Sequence, residues 1–268
     1  MFSSFMMNTW IVATMVAVVA GLVGFFVVLR GATFAAHALP LGTFPGAAAA
    51  SLLGINQIWG LAIFAALGVA GISQLARRQR NEVATALTLI TLLGFGTLFL
   101  SLSSQYAQGV YALLFGEVLG ISNNDVLPVA MVSLIAAGLI LLLFRRLLLS
   151  AVSGDLGAVG GVNARWIDVI FLGILGLTTA MALPVVGALL VFSLMVGPAS
   201  LARAITARPL AAMGLSVVLS MVMAWGSIAG AYLTNWPIGF FIGVLAALAY
   251  GLGRVWSRLT ATFGARAV

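Results

Sequence analysis

The chain of 268 residues contains no cysteine and no lysine, so all twelve of its basic residues are arginine. Without cysteine it forms no disulfide and offers no thiolate to a metal ion. Without lysine it cannot build a P-loop, whose lysine reaches the nucleotide phosphates, and ATP hydrolysis by that route is excluded. One histidine, His37, is too few for an H-E-x-x-H zinc site, and no G-x-S-x-G nucleophile motif occurs. Charge of either sign is scarce. Only 6% of residues are charged, against roughly a quarter in soluble domains, and that is too little to clothe a water-facing surface. Together these absences argue against an enzyme and against a water-soluble fold.

What the chain has instead is hydrophobic sequence, 63% of the total, arranged in long blocks. Residues 10–29, 83–116, 126–144, 169–202 and 210–253 carry no charge, and 31–76 carries none apart from His37. A helix needs about 20 apolar residues to cross the hydrocarbon core, so these blocks hold eight or nine spans of an all-α transmembrane bundle. The first block has no cationic stretch before it and reads as a retained helix rather than a cleaved signal. No change of composition marks a second domain, so residues 1–268 read as a single membrane domain.

The net charge of +7 would suggest nucleic acid in a soluble protein. Here the arginines fall between hydrophobic blocks: Arg30; Arg77, Arg78 and Arg80; Arg145, Arg146 and Arg165; Arg203 and Arg208; Arg254, Arg258 and Arg266. The alternate connections, 54–57, 104–125 and 234–236, have none. This is the positive-inside pattern, which places the N-terminus outside, the C-terminus in the cytoplasm, and membrane lipid rather than nucleic acid around the chain. Trp59, Trp166 and Trp236 fall near span ends, where interfacial anchors are favoured.

Two blocks are irregular. The span that follows Arg30 carries His37, Pro40 and Pro45 beside Gly42 and Gly46, and proline removes a backbone donor, so a bend or local unwinding is expected there. Block 169–202 is too long for one span and too short for two, with Pro184 and Gly187 as the expected break. Small-xxx-small spacings at Gly42/Gly46, Gly226/Gly230 and Gly239/Gly243 predict close helix packing. Two connections look more than simple loops. Segment 104–125, on the outer side, mixes polar residues with an apolar run and suggests a re-entrant or interfacial helix; 150–161, on the inner side, is glycine-rich and carries Asp155.

Ionisable groups are few. Glu82, Glu117, Asp125, Asp155 and Asp168 all sit at or beyond span ends, where a solvated or interfacial carboxylate is the simpler reading for Glu117, Asp125 and Asp168. His37 lies within a span, where an ionisable side chain is a functional candidate because burying it unpartnered is costly. Its structural alternative is a neutral ring donating to a carbonyl freed by the prolines.

Several pieces carry a family likeness. They are Leu114-Phe115-Gly116-Glu117-Val118-Leu119 followed by Asn124-Asp125-Val126, Ser153-Gly154-Asp155-Leu156 running to Gly161-Val162, Val186-Gly187-Ala188-Leu189-Leu190, and Pro198-Ala199-Ser200-Leu201-Ala202-Arg203. In order and spacing they resemble the metal-type ABC transporter permeases, the membrane subunits of zinc, manganese and iron importers, over about residues 26–253. Glu117 stands where the family usually has Asp. The resemblance implies a homodimeric permease in the bacterial cell membrane with its pathway along the dimer axis. It also implies two cytoplasmic ATPase subunits, an extracytoplasmic solute-binding protein, a divalent metal ion as cargo, and no cofactor held by the chain itself. It identifies 150–162 as the candidate coupling helix, with Ser153, Gly154, Asp155, Gly157, Ala158 and Gly161 against the ATPase, and it puts Glu117 and Asp125 at the outer gate or docking face.

The sequence also departs from that family. Where members read Gly-Asp-Ala-Leu-Ser-His-Ala, this chain reads Ala36-His37-Ala38-Leu39-Pro40-Leu41-Gly42. His37 takes the place of the acidic residue and Leu41 that of the histidine, so one potential ligand of a spaced pair is exchanged and the other lost. Imidazole suits zinc, and methionines such as Met181 and Met195 suit a softer ion, although methionine in an apolar helix more commonly just fills space. An ion-coupled transporter or channel without an ATPase, and a relative diverged to a non-metal substrate, remain open alternatives.

Overall fold

A computed structural model describes residues 4–77, 81–102, 121, 123–152 and 163–264. Among the described residues there are nine helices and no strand: α1 (Ser4–Leu29), α2 (Thr33–Leu53), α3 (Gln57–Leu75), α4 (Asn81–Ser101), α5 (Asn123–Val152), α6 (Ala164–Val186), α7 (Ala188–Ile205), α8 (Pro209–Thr234) and α9 (Ile238–Gly264). Seven are long and apolar enough to cross a membrane; α2 and α7 are the exceptions. In α2 the shortfall comes from His37, Pro40, Pro45, Thr33 and Thr43, which dilute an alanine-rich helix. α7, at 18 residues, is short. Both are enclosed by other helices, so neither needs the hydropathy that direct contact with lipid demands.

The turns have local causes. Between α2 and α3 the chain leaves the helix through Gly54 in the left-handed region (φ 64°), which a residue without Cβ adopts freely. It re-enters under an N-cap in which Asn56 Oδ1 accepts from the Ile58 amide at 2.9 Å. Asn163 caps α6 in the same way, accepting from the Arg165 amide at 3.1 Å. Pro209 opens α8, where its missing N–H is harmless.

Of the bend or local unwinding expected at Pro40 and Pro45, the unwinding is absent: α2 runs as one helix through both prolines. Packing by α3, α4, α6 and α7 supports it, and the Thr43 hydroxyl donates to the Pro40 carbonyl at 2.9 Å. The break in the next irregular block falls at Gly187 alone (φ 87°, ψ 154°), and Pro184 lies inside the last turns of α6. Two antiparallel helices thus share this block, the shortage of length being absorbed by a short α7.

α1 is the central post. In its most apolar 18-residue stretch 72% of residues are buried, whereas the corresponding figure is 11% for α9 and 22% for α5. It packs on α5, α6, α7 and α8, and glycine permits the closest approaches. A methyl on Gly24 would lie 2.1 Å from the Met195 carbonyl oxygen, and one on Gly21 would lie 2.5 Å from Val217 Cα. Hydroxyls on α8 stitch the crossings, Ser216 donating to the Gly21 carbonyl at 2.8 Å and Ser220 to the Leu194 carbonyl at 3.1 Å. α3, α4, α5 and α9 carry broad exposed apolar faces, as a wall against lipid or a second copy requires.

Candidate functional site

The described arginines collect at one end of the bundle. Arg30 follows α1, Arg77 follows α3, Arg145 and Arg146 lie towards the end of α5, and Arg165 lies in the first turn of α6. A cleft of about 560 Å³ brings Arg30, Arg77, Glu82, Arg165 and Asp168 to this end, with Trp166 on its wall. A shallower one joins Arg203 of α7 to Arg254 of α9. The segregation expected from the charge pattern is therefore physical: the far end, with the 54–56 and 235–237 turns, has no arginine among the described residues.

Arg30 is the most engaged of these groups. Its Nη2 pairs with Asp168 Oδ1 on α6, and its Nη1 donates to Ser150 Oγ at 2.8 Å and to the Leu147 carbonyl at 3.2 Å on α5. Its guanidinium carbon lies 5.1 Å from the centre of the Phe171 ring. The Arg30 side chain is only 8% exposed while Asp168 is 57% exposed, so one buried charge is matched by a carboxylate that keeps a face in the cleft. Asp168 is therefore paired, and not the simply solvated carboxylate that its position suggested. A cation near the C-terminal end of α5 and an anion in the early turns of α6 also match the partial charges of those helix ends.

His37 stands about one turn into α2, half-buried, with its ring edge-to-face with Phe192 of α7 at 5.1 Å between centroids. Leu41, one turn further along, is half-buried against the apolar cluster of Phe44, Ala47, Leu61, Leu183 and Ala188. Among the described residues no three His, Cys, Asp or Glu side chains converge as a metal site. His37 thus offers an imidazole beside an aromatic ring, with no second such ligand converging on it among the described residues.

Ser153, Gly154, Asp155, Gly157, Ala158 and Gly161 lie outside the described residues, as does Glu117. For Asp125 only the backbone is described, in the first turn of α5. The two roots of the 153–162 connection are described, however, and both are at the arginine end: Val152 closes α5 and Asn163 caps α6. The Arg30–Asp168 pair went unseen in the sequence because its members are 138 positions apart. The only signal is that both flank spans on the same side.

The model of the ABC 3 transport family matches residues 2–256. The manganese transport system membrane protein MntC of Listeria monocytogenes is 27% identical over 94% of this chain and 86% of its own length. The high-affinity zinc uptake system membrane protein ZnuB of Buchnera aphidicola is 24% identical over 85% and 88%. Among solved structures, PsaBC from Streptococcus pneumoniae in complex with Fab superposes with a TM-score of 0.84 at 23% identity, covering 94% of this chain and 91% of that one. A bundle of membrane-spanning helices of this order, matched across nearly its whole length, belongs to the ABC 3 transport family.

Proposed function

We propose that this chain is the permease subunit of an ABC importer for a divalent metal ion, manganese or zinc. Two copies would form the pathway, separate cytoplasmic subunits would hydrolyse ATP, and an extracytoplasmic binding protein would deliver the ion. The observation that carries the reading is the match of the ABC 3 family across residues 2–256, since relatives over the same span are named for manganese and zinc transport. The gathering of the described arginines supports a cytoplasmic position for the end that holds Val152 and Asn163, the residues flanking 153–162. That is the side on which an ATPase could grip residues 153–161. The binding protein would dock at the opposite end, near Glu117 and Asp125.

Within the pathway His37 offers a transient ligand, doubled by the second copy. Its apolar surroundings favour release over retention, and capture and selectivity then fall to the binding protein. An ion-coupled carrier would need a carboxylate at mid-membrane, and among the described acidic side chains Glu82 and Asp168 both lie near helix starts.

The test is uptake by the reconstituted complex of permease, ATPase and binding protein, with Mn²⁺ and Zn²⁺ offered separately. ATP-dependent uptake of one of them is expected, reduced in His37→Ala. Failure to move either ion would overturn the metal assignment, and unimpaired uptake by His37→Ala would remove only the ligand role.

A further inference from the structure

Arg30 occupies a position that the transport reading leaves without a task. It is the first residue after α1, and the turn that contains it is tight: the Arg30 amide donates to the Phe26 carbonyl at 2.9 Å and the Ala32 amide to the Val27 carbonyl at 2.9 Å. α2 begins at Thr33, and His37 follows one turn later. From this turn the side chain reaches two other helices at once. It holds the closing turns of α5 through Leu147 and Ser150, and the early turns of α6 through Asp168 and Phe171.

We propose that Arg30 is a positioning residue that locks the end of α5 and the start of α6 to the α1–α2 turn, so that movement of those two helix ends is handed to α2 and His37. The inference rests on the reading of the α5–α6 connection as the ATPase contact. Its physical basis is independent of that reading. A guanidinium carries five N–H donors in a planar fork and a face that stacks on rings, so one side chain can satisfy a carboxylate, a hydroxyl, a carbonyl and an aromatic ring together. Lysine has the charge but not the fork. Burial makes the arrangement stiff, because a guanidinium withdrawn from water cannot exchange these acceptors for solvent without moving the helices that carry them. A charge kept only to fix topology needs no such set of partners, since charge at the membrane surface suffices.

The chain has no cysteine, so labels go only where they are placed, and mixing doubly labelled chains with an excess of unlabelled ones restricts the measured distances to one copy. Val152 and Trp166 are both exposed and sit on the two sides of the lock. Spin labels on Val152→Cys and Trp166→Cys in the reconstituted protein are expected to give one narrow distance distribution, broadened in Arg30→Gln and less so in Arg30→Lys. Asp168→Asn, which removes one partner and leaves Arg30 in place, serves if Arg30→Gln fails to assemble. In the complete transporter, metal moved per ATP hydrolysed is expected to fall about fivefold or more in Arg30→Lys and Asp168→Asn, the lower range of ordinary coupling energies. A purely structural pin would lower the yield of complex and leave that ratio unchanged. An unchanged distance distribution in Arg30→Gln and Asp168→Asn would overturn the lock. Broadened distances with an unchanged ratio would overturn the transmission. If the wild type shows no ATP-dependent uptake at all, the transport reading falls, and the distances still decide the lock.

Discussion

Gly46 of α2 and Gly60 of α3 meet backbone to backbone: a methyl group on Gly46 would lie 2.1 Å from the Gly60 carbonyl oxygen, and one on Gly60 would lie 1.9 Å from that of Gly46. Nothing flexible stands in between to yield, so the helix carrying His37 is seated on α3 by mutual absence of side chains. Gly46→Ala or Gly60→Ala should force the helices apart and lower stability by about 1–3 kcal/mol, the range for overpacking. Gly243→Ala, where a methyl would meet nothing within 4 Å, should be neutral or slightly stabilising. Thermal unfolding in one detergent, compared across the three variants, checks the contrast; equal shifts would refute it.

Leu41→His would place a second imidazole four residues from His37, on the same face of α2. Two ligands per protomer should hold a divalent ion longer. Equilibrium binding of Zn²⁺ or Mn²⁺ to the permease is expected to tighten while turnover of the assembled transporter drops. Unaltered binding would show that the face of α2 bearing both residues is out of the ion's path.

Gly187 separates α6 from α7 with φ 87° and ψ 154°, a conformation that a side chain strains. Gly187→Ala should cost about 1–3 kcal/mol, the usual range for a residue held in such a region. Pro184→Ala, inside the helix, should leave the break where it is. Denaturation midpoints of the two variants are the measurement, and a larger loss at Pro184 would assign the break to proline after all.

Ser216→Ala removes a hydroxyl that donates to the Gly21 carbonyl at 2.8 Å. Such bonds between membrane helices average about 0.6 kcal/mol, so the loss should be small beside that of Gly24→Ala, which drives a methyl into the Met195 backbone. Relative unfolding midpoints check the ranking. The reverse order would mean that polar stitching, and not close approach, holds α1 in place.

Much of the fold was legible in the sequence because charge and turn residues act locally. Where they are described, the uncharged blocks are helical, and the junctions at Gly54–Gln57 and 234–236 fell where expected, since Gly54, Asn56 and Asn235 supply cap or left-handed geometry in place. Pro40 and Pro45 do not unwind α2, because four neighbouring helices that no local pattern reveals pack around it. Of the small-residue pairs, Gly46 and Gly230 meet close neighbours, yet Gly243 faces open space and the tight contacts of Gly21, Gly24 and Gly60 lay outside the spacings singled out. The lone imidazole could be read directly. Arg30 looked like a topological marker, and its partnership with Asp168 exists only once α1 and α6 are side by side.

The helix at the middle of the molecule, α1, is also the earliest of the nine along the chain. Synthesis therefore delivers the innermost element before any of the partners that enclose it. α1 is apolar enough, at a mean hydropathy of 2.7 over its best stretch, to wait alone among acyl chains. Maturation then consists of exchanging lipid for protein around a standing mast, finished only when α8 emerges and its seryl hydroxyls find the carbonyls of Gly21 and Leu194.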